Sequence, residues 1–229
     1  MSRRYAKSYT AWCRAAVQAE GSELCIAYLD DALLVLEKPA GLLSAPGRGA
    51  DKQDCLSARV QRIHGDALVV HRLDMATSGL MLMARGKTAQ LHLNRAFASG
   101  AIHKRYQALV HGCLAAAPGG WGLIDLPIAL DWPNRPRRST GVDGGKASAT
   151  RWKPLGKAPP GQTRLELEPV TGRSHQLRVH LLAIGHPIVG DTLYGPADGA
   201  NRLMLHATQL RFTHPVSRQP MRFESTAAF

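Results

Sequence analysis

Residues 69–85 read VVHRLDMATSGLMLMAR. Residues 68–73 and 80–84 are strand-like apolar runs, and the centre between them, Asp74 with Thr77, Ser78 and Gly79, has the composition of a turn. The stretch therefore predicts a strand–turn–strand unit in a fold built around a sheet. For an isolated aspartate in such a turn, local bonding to the backbone is the ordinary explanation. Arg72 changes the reading. It lies two residues upstream, so in extended chain it projects to the same side as Asp74, and a nearby guanidinium favours the ionised carboxylate. A carboxylate held charged at a partly dry site serves as a nucleophile or an electrostatic stabiliser, not as a proton donor.

Upstream, ALLVLEKPAGLLSAPG (32–47) predicts a strand over 32–37, ended by Pro39 and Gly41, then a loop closed by Pro46 and Gly47. Asp54 is the expected N-cap of a helix through His64, with Leu56, Val60 and Ile63 on one face and Gly65 as its stop. A second helix starts at Thr88 and ends at Gly100. RYQALVHG (105–112) and the alternating TRLELEP (163–169) read as strands. SHQLRVHLLAIG (174–185) reads as a helix capped by Ser174 and stopped by Gly185, with Leu177, Leu181 and Ile184 on one face. RLMLHATQLRF (202–212) supplies closing strands. The order implies an α+β fold with an extended, largely antiparallel sheet rather than a βαβ series. Residues 1–22 form a basic N-terminal extension, either a helix around Trp12 and Val17 or a mobile segment, ahead of one domain over 23–229.

The 229 residues carry 29 Lys and Arg against 17 Asp and Glu, a formal net charge of +12. That excess favours a polyanionic partner, because each contact to a phosphate releases condensed counterions. No segment approaches ~20 consecutive apolar residues, so a membrane is at most a surface to bind and nucleic acid is the first expectation. Cys13, Cys25, Cys55 and Cys113 are scattered without a C-x-x-C pair, which argues against a zinc ribbon or a disulfide framework. His175, His180 and His186 lie close in sequence, but the first two sit about 140° apart around a helix, so no metal is expected. The N-terminus lacks the apolar core of a secretory signal, and the expected address is the cytoplasm.

Two further clusters suit RNA. In HKRYQALV (103–110), Tyr106 follows Lys104 and Arg105, and an aromatic beside cations can stack on an unpaired base as well as fill a sheet. In LDWPNRPRRST (130–140), Trp132 stands among Asn134, Arg135, Arg137 and Arg138, a basic loop that fits RNA contact or simply a solvated turn.

Taken together, these stretches resemble the RluA family of pseudouridine synthases. HRLDMATSGL resembles that family's catalytic signature, EKPAGLLSAPG its first motif, KRYQALVHG its second, and TGRSHQLRVHLLAIGHPIVGD its third, in order over roughly residues 24–223. LPIALDWPNRP and the DMATSG variant look closest to members acting on both 23S rRNA and tRNA. The family's frequent N-terminal S4 domain is not expected here. The resemblance implies the family's bent mixed sheet with flanking helices and a central active-site cleft. It implies Asp74 as nucleophile, Arg72 as the group that replaces the evicted base, Tyr106 stacked on the uracil, and Arg173 paired with Asp74. It also implies RNA contacts from His71, Thr77, Lys104, Asn134, Arg135, His175, Gln176 and Arg178. The expected partner is RNA (23S rRNA, tRNA or both), the expected state a monomer, and no cofactor is required for an isomerisation without net redox change.

Three alternatives stay open at this point. One is a synthase of the same family with a different rRNA target. Another is a non-catalytic RNA-binding protein on the same scaffold. The third is a glycoside hydrolase, which normally needs two carboxylates ~5–10 Å apart; Asp191 is the one tempting second acid, and its plain reading is that it orders a turn.

Overall fold

The computed structural model describes residues 7–10, 15–19 and 22–229. Two units divide them: Met1–Lys104 with Ala207–Ala227, and Arg105–His206 with Ala228–Phe229. In chain order the first unit contributes β1 (Lys7–Thr10), β2 (Ala15–Ala19), β3 (Ser22–Leu29), β4 (Leu33–Lys38), α1 (Leu56–Gln61), β5 (Ala67–Val69), β6 (Ser78–Arg85) and α2 (Gly86–Ala98). The chain crosses into the second unit within β7 (His103–His111), followed by β8 (Gly122–Asp125), β9 (Ile128–Leu130), β10 (Arg138–Thr140), β11 (Ala149–Leu155), β12 (Gln162–Pro169) and α3 (Gln176–Ala183). It returns within β13 (Leu205–Thr213) and finishes with β14 (Pro220–Glu224). Strands outnumber helices and the pairing is mixed, so the fold is α+β.

In the first unit the order β2-β3-β4-β6-β13 is extended by β14 and β1, and β5 pairs β6. The β1–β14 pair is parallel, while β2–β3, β3–β4, β4–β6, β5–β6 and β13–β14 are antiparallel. Strands β4 and β6 are apolar on both faces because both are covered. On one face Leu33, Val35, Leu80, Leu82 and Ala84 pack with Ala89 and Leu93 of α2, Leu210, Phe212 and Phe223. Ala89 and Leu93 are four apart, the spacing that puts two side chains on one helical stripe. Burying a leucine or phenylalanine contributes about 1.5–3 kcal/mol relative to exposure, so this cluster holds β6 firmly.

In the second unit β7, β12, β11 and β8 form an antiparallel series. The alternation expected of TRLELEP is present: Leu165 and Leu167 are buried, and Glu166 and Glu168 point to the other face. There they meet Arg105, Arg151 and Lys153. Strands β9 and β10 make a separate hairpin.

Five expectations about elements need correction. Residues 7–10 and 15–19 are strands, because β14 and β3 offer partners that capture them; Val17 lies in β2, and Trp12 falls outside the described residues. The run expected as a strand over 68–73 stops at Val69. The Gln90 side chain donates to the Val69 carbonyl at 3.1 Å, and the His71 ring takes the ladder N–H of Leu82 at 2.8 Å, so the backbone peels away. Helix α1 is capped by Cys55, whose sulfur accepts from Ala58 N–H, since Asp54 is engaged by Arg59 at 2.8 and 2.6 Å. Helix α2 starts at Gly86 rather than Thr88. Helix α3 follows His175, held in the left-handed region at φ 57°, and Ser174 is not its cap.

Candidate active site

Asp74 sits where the chain has left the sheet. Its carbonyl accepts the Thr77 N–H at 3.0 Å, closing a turn that leads straight into β6. The residues on either side of it are pinned by the loop after β4. Ser44 grips Leu73 at both ends, donating from Oγ to its carbonyl at 2.7 Å and accepting its N–H at 3.0 Å. The Met75 carbonyl receives two bonds, from Gly41 N–H at 2.9 Å and from Lys38 Nζ at 3.0 Å. The backbone on both sides of the carboxylate is thus fixed by groups distant in sequence.

Behind the turn, Gly79 lies at φ 108°, and a Cβ there would fall 2.4 Å from the Ala207 carbonyl oxygen. Only glycine permits that approach of β13 to the start of β6. Lys38 pairs in register with Gly79 and has no exposed surface. Its ammonium donates to the Pro39, Leu42 and Met75 carbonyls at 2.7, 2.7 and 3.0 Å. Burial lowers its pKa to about 8, and the Asp74 carboxylate acts against that shift. Lys38 is therefore a cation electrostatically coupled to Asp74, whereas Arg72 is exposed. A lysine ending an apolar strand just before Pro39 is the signal in the sequence, but its partners are carbonyls, which carry no sequence signature.

This burial has a measurable consequence. The unfolded chain binds the Lys38 proton up to about pH 10.5, whereas the folded chain releases it from about 8. Stability rises with pH wherever the unfolded state holds more protons, so the cost of the charged, buried Lys38 is full below pH 8 and fades above it. Unfolding free energies of wild type and Lys38→Met, measured from pH 7 to 10.5, should diverge in favour of the wild type by up to roughly 3 kcal/mol. Parallel curves would mean that Lys38 is not desolvated.

The other expected site residues fall into distinct environments. In the first unit, His71 accepts the Leu82 N–H and lies 4.6 Å from the Phe97 ring, centroid to centroid. Burial, with the Lys104 charge adding to it, lowers its pKa to about 3, so the imidazole stays neutral as the acceptor role requires. Thr77 is buried, and Lys104 is partly buried with its ammonium 5.8 Å from the Phe97 ring centre. In the second unit, Tyr106 lies on the buried side of β7, in register with Leu167. Arg173 is exposed, with its Nε 3.4 Å from the Ala147 carbonyl.

Several other residues expected to touch RNA are engaged within the second unit. Gln176 is buried: its Oε1 accepts from Thr171 Oγ1 at 2.7 Å and from Arg173 N–H at 3.0 Å, and its Nε2 donates to the Ala149 carbonyl. It shapes the loop that presents Arg173. Arg178 is 4% exposed and clamps Asp191 with two bonds of 2.7 and 2.6 Å. Asp191 in turn accepts the N–H groups of Leu193 and Tyr194, so it orders a turn and is not a second catalytic acid. Asn134 donates from Nδ2 to both carboxylate oxygens of Asp131 at 3.1 Å. His175 keeps a polar contact to the Tyr194 hydroxyl at 2.8 Å, and Arg135 is exposed over Trp132.

The model of the RNA pseudouridylate synthase family matches residues 32–183. The chain belongs to that family. It is an isomerase that converts uridine in RNA to pseudouridine. Over 209 residues, 90% of this chain, it is 46% identical to the dual-specificity RNA pseudouridine synthase RluA of Yersinia pestis, covering 100% of that protein. Identity to the RluA of Escherichia coli strain K12 is 44% over the same share of this synthase and 94% of the relative. Among solved structures, human RNA pseudouridylate synthase domain containing 1 superposes with a TM-score of 0.71 at 28% identity, over 91% of this chain and 86% of that one. Human domain containing 4 superposes at 0.67 and 24% identity, over 88% of each chain, a likeness of fold. Among the described residues, no helix is long and apolar enough to cross a membrane.

Proposed function

We propose that this synthase isomerises uridines in a 23S rRNA hairpin and in a tRNA anticodon stem-loop, with Asp74 as the catalytic carboxylate. The observation that carries the reading is the pinning of Leu73 and Met75 on either side of Asp74 by Ser44, Gly41 and Lys38. The relatives named for dual specificity match 90% of this chain over nearly their own full length, which supports the choice of RNA.

The reaction breaks the N1–C1′ bond of uridine, turns the base, and joins C5 to C1′. The C5 hydrogen is lost to solvent and N1 gains a proton, so redox state does not change. Addition of a carboxylate to C1′, addition to C6, and withdrawal of a ribose proton all require an ionised oxygen held at a fixed point. A uridine inside a stacked loop is out of reach and has to be flipped, at a cost of a few kcal/mol. Arg72, exposed beside Asp74, fills the space the base leaves. Tyr106 stacks on the extruded uracil, which offsets about 1–3 kcal/mol. Arg173 pairs with the Asp74 carboxylate and supplies positive charge to it. The synthase works as a cytoplasmic monomer.

The test is to map pseudouridines by chemical labelling in cells with and without this protein. One 23S rRNA hairpin position and one anticodon stem-loop position should lose their signal in the deletion and regain it on complementation. Loss in only one of the two RNAs would contradict dual specificity, and loss in neither would overturn the choice of substrates.

A further inference from the structure

The described tryptophans are in three different situations. Trp152 is buried against Gly122, where a Cβ would meet its ring at 2.3 Å. Trp121 is surrounded by Arg151, Lys153 and Arg105, with charged centres 4.9, 4.8 and 5.7 Å from its ring centre, themselves held by Glu166 and Glu168. Trp132 is 65% exposed. One guanidinium, that of Arg135, lies 4.5 Å from its ring centre.

An exposed indole is informative when the backbone beneath it is held. Here it is held at several points. Asp131 N–H donates to the Arg137 carbonyl at 3.1 Å and Arg137 N–H to the Asn134 carbonyl at 3.0 Å. Asn134 is tied to the Asp131 carboxylate, and β9 pairs β10 through Leu130↔Arg138 to Ile128↔Thr140. The hairpin is anchored by Tyr194, whose hydroxyl accepts the Arg138 N–H at 2.7 Å and whose ring lies 5.5 Å from the Arg137 guanidinium. Ile128 and Tyr194 are buried together with Val179 of α3. The loop DWPNRPRR sets three arginines against one aspartate, and that aspartate is engaged by Asn134. A rigid, cationic mount for one flat apolar ring suits a partner that is itself flat and polyanionic.

We propose that the Trp132–Arg135 pair is a docking platform for an unpaired base of the substrate RNA other than the uridine being isomerised. The base stacks on the indole and Arg135 meets the adjoining phosphate. The inference rests on the reading of the substrate as a structured RNA with an unpaired loop, and it adds a second nucleotide to the one that is isomerised. Stacking accepts any base, so the platform adds affinity and register rather than choosing a sequence by itself.

The experiment uses the anticodon stem-loop or the 23S rRNA hairpin, whichever the wild type converts; if it converts neither, the RNA found by pseudouridine mapping takes their place. A failure of the substrate assignment is thereby separated from a failure of the platform. Trp132→Ala should raise the Kd about ten-fold or more and raise KM in step, while kcat at saturating RNA stays within about two-fold. Trp132→Phe should recover most of the affinity. The slope of log Kd against log salt should be unchanged in Trp132→Ala and shallower by about 0.7 in Arg135→Ala, the loss of one phosphate contact. Abasic substitution along the loop should reveal one position at which wild type and Trp132→Ala bind alike. Equal affinity of Trp132→Ala and wild type would overturn the proposal. So would a deficit that persists at every abasic position, or one that tracks a lowered Tm.

Discussion

Replacing Asp74 by Asn is expected to slow pseudouridine formation by on the order of 10⁴-fold or more, with RNA affinity within a few-fold of wild type. Asparagine keeps the shape of the side chain and removes its charge. The turn that carries it is closed by the Thr77 N–H and held through Ser44, Gly41 and Lys38, all by bonds to backbone atoms that the substitution keeps. Asp74→Glu keeps the charge but moves it by one methylene, and a displacement of about 1 Å costs on the order of 10²-fold. Release of tritium from C5-labelled uridine in a single turnover measures both variants. An Asp74→Asn enzyme within ten-fold of wild type would remove this carboxylate from the chemistry.

The second large effect concerns stability. Arg178 and Asp191 are 4% and 1% exposed and face each other through two short bonds. Removing the guanidinium leaves a buried carboxylate without its cation, a loss that typically costs about 3–5 kcal/mol. In a chain of this length that lowers Tm by about 10 °C. Arg178→Met should therefore unfold early in a thermal scan. The double variant Arg178→Met with Asp191→Asn should recover much of the loss, since an asparagine oxygen can still accept from Leu193 and Tyr194 without an uncompensated charge. The salt dependence of RNA binding should not change. A variant of normal stability with a shallower salt slope would restore Arg178 as a phosphate contact.

Arg178 marks where sequence reading gives way. TGRSHQLRVHLLAIG shows a basic helix beginning near Arg173, and in a chain of net charge +12 a helical arginine reads as an RNA contact. Its actual partner, Asp191, is thirteen residues downstream, and nothing local in the sequence reveals that pairing. Gln176 was hidden for the same reason, since its donors and acceptors are Thr171, Arg173, Ala149 and Thr150. The turn at Asp74, by contrast, is legible because its setting is local: apolar residues before and after, and a Thr-Ser-Gly exit into β6. The alternation of TRLELEP was legible through its period of two. The strands within residues 7–19 were not, because they form by pairing with β14 and β3 rather than through any pattern of their own. Lys38 was visible but silent, since what gives it meaning is a set of three carbonyl oxygens.

A crystal structure of Asp74→Asn bound to a stem-loop that the wild-type enzyme converts tests the role of this carboxylate at the reacting atoms. The target uridine should lie outside its stack, with C1′ or C6 within about 3.5 Å of the residue 74 side chain and Arg72 in the place the base has left. A target uridine still stacked in the loop, or held with its ribose and ring far from residue 74, would remove Asp74 from the chemistry.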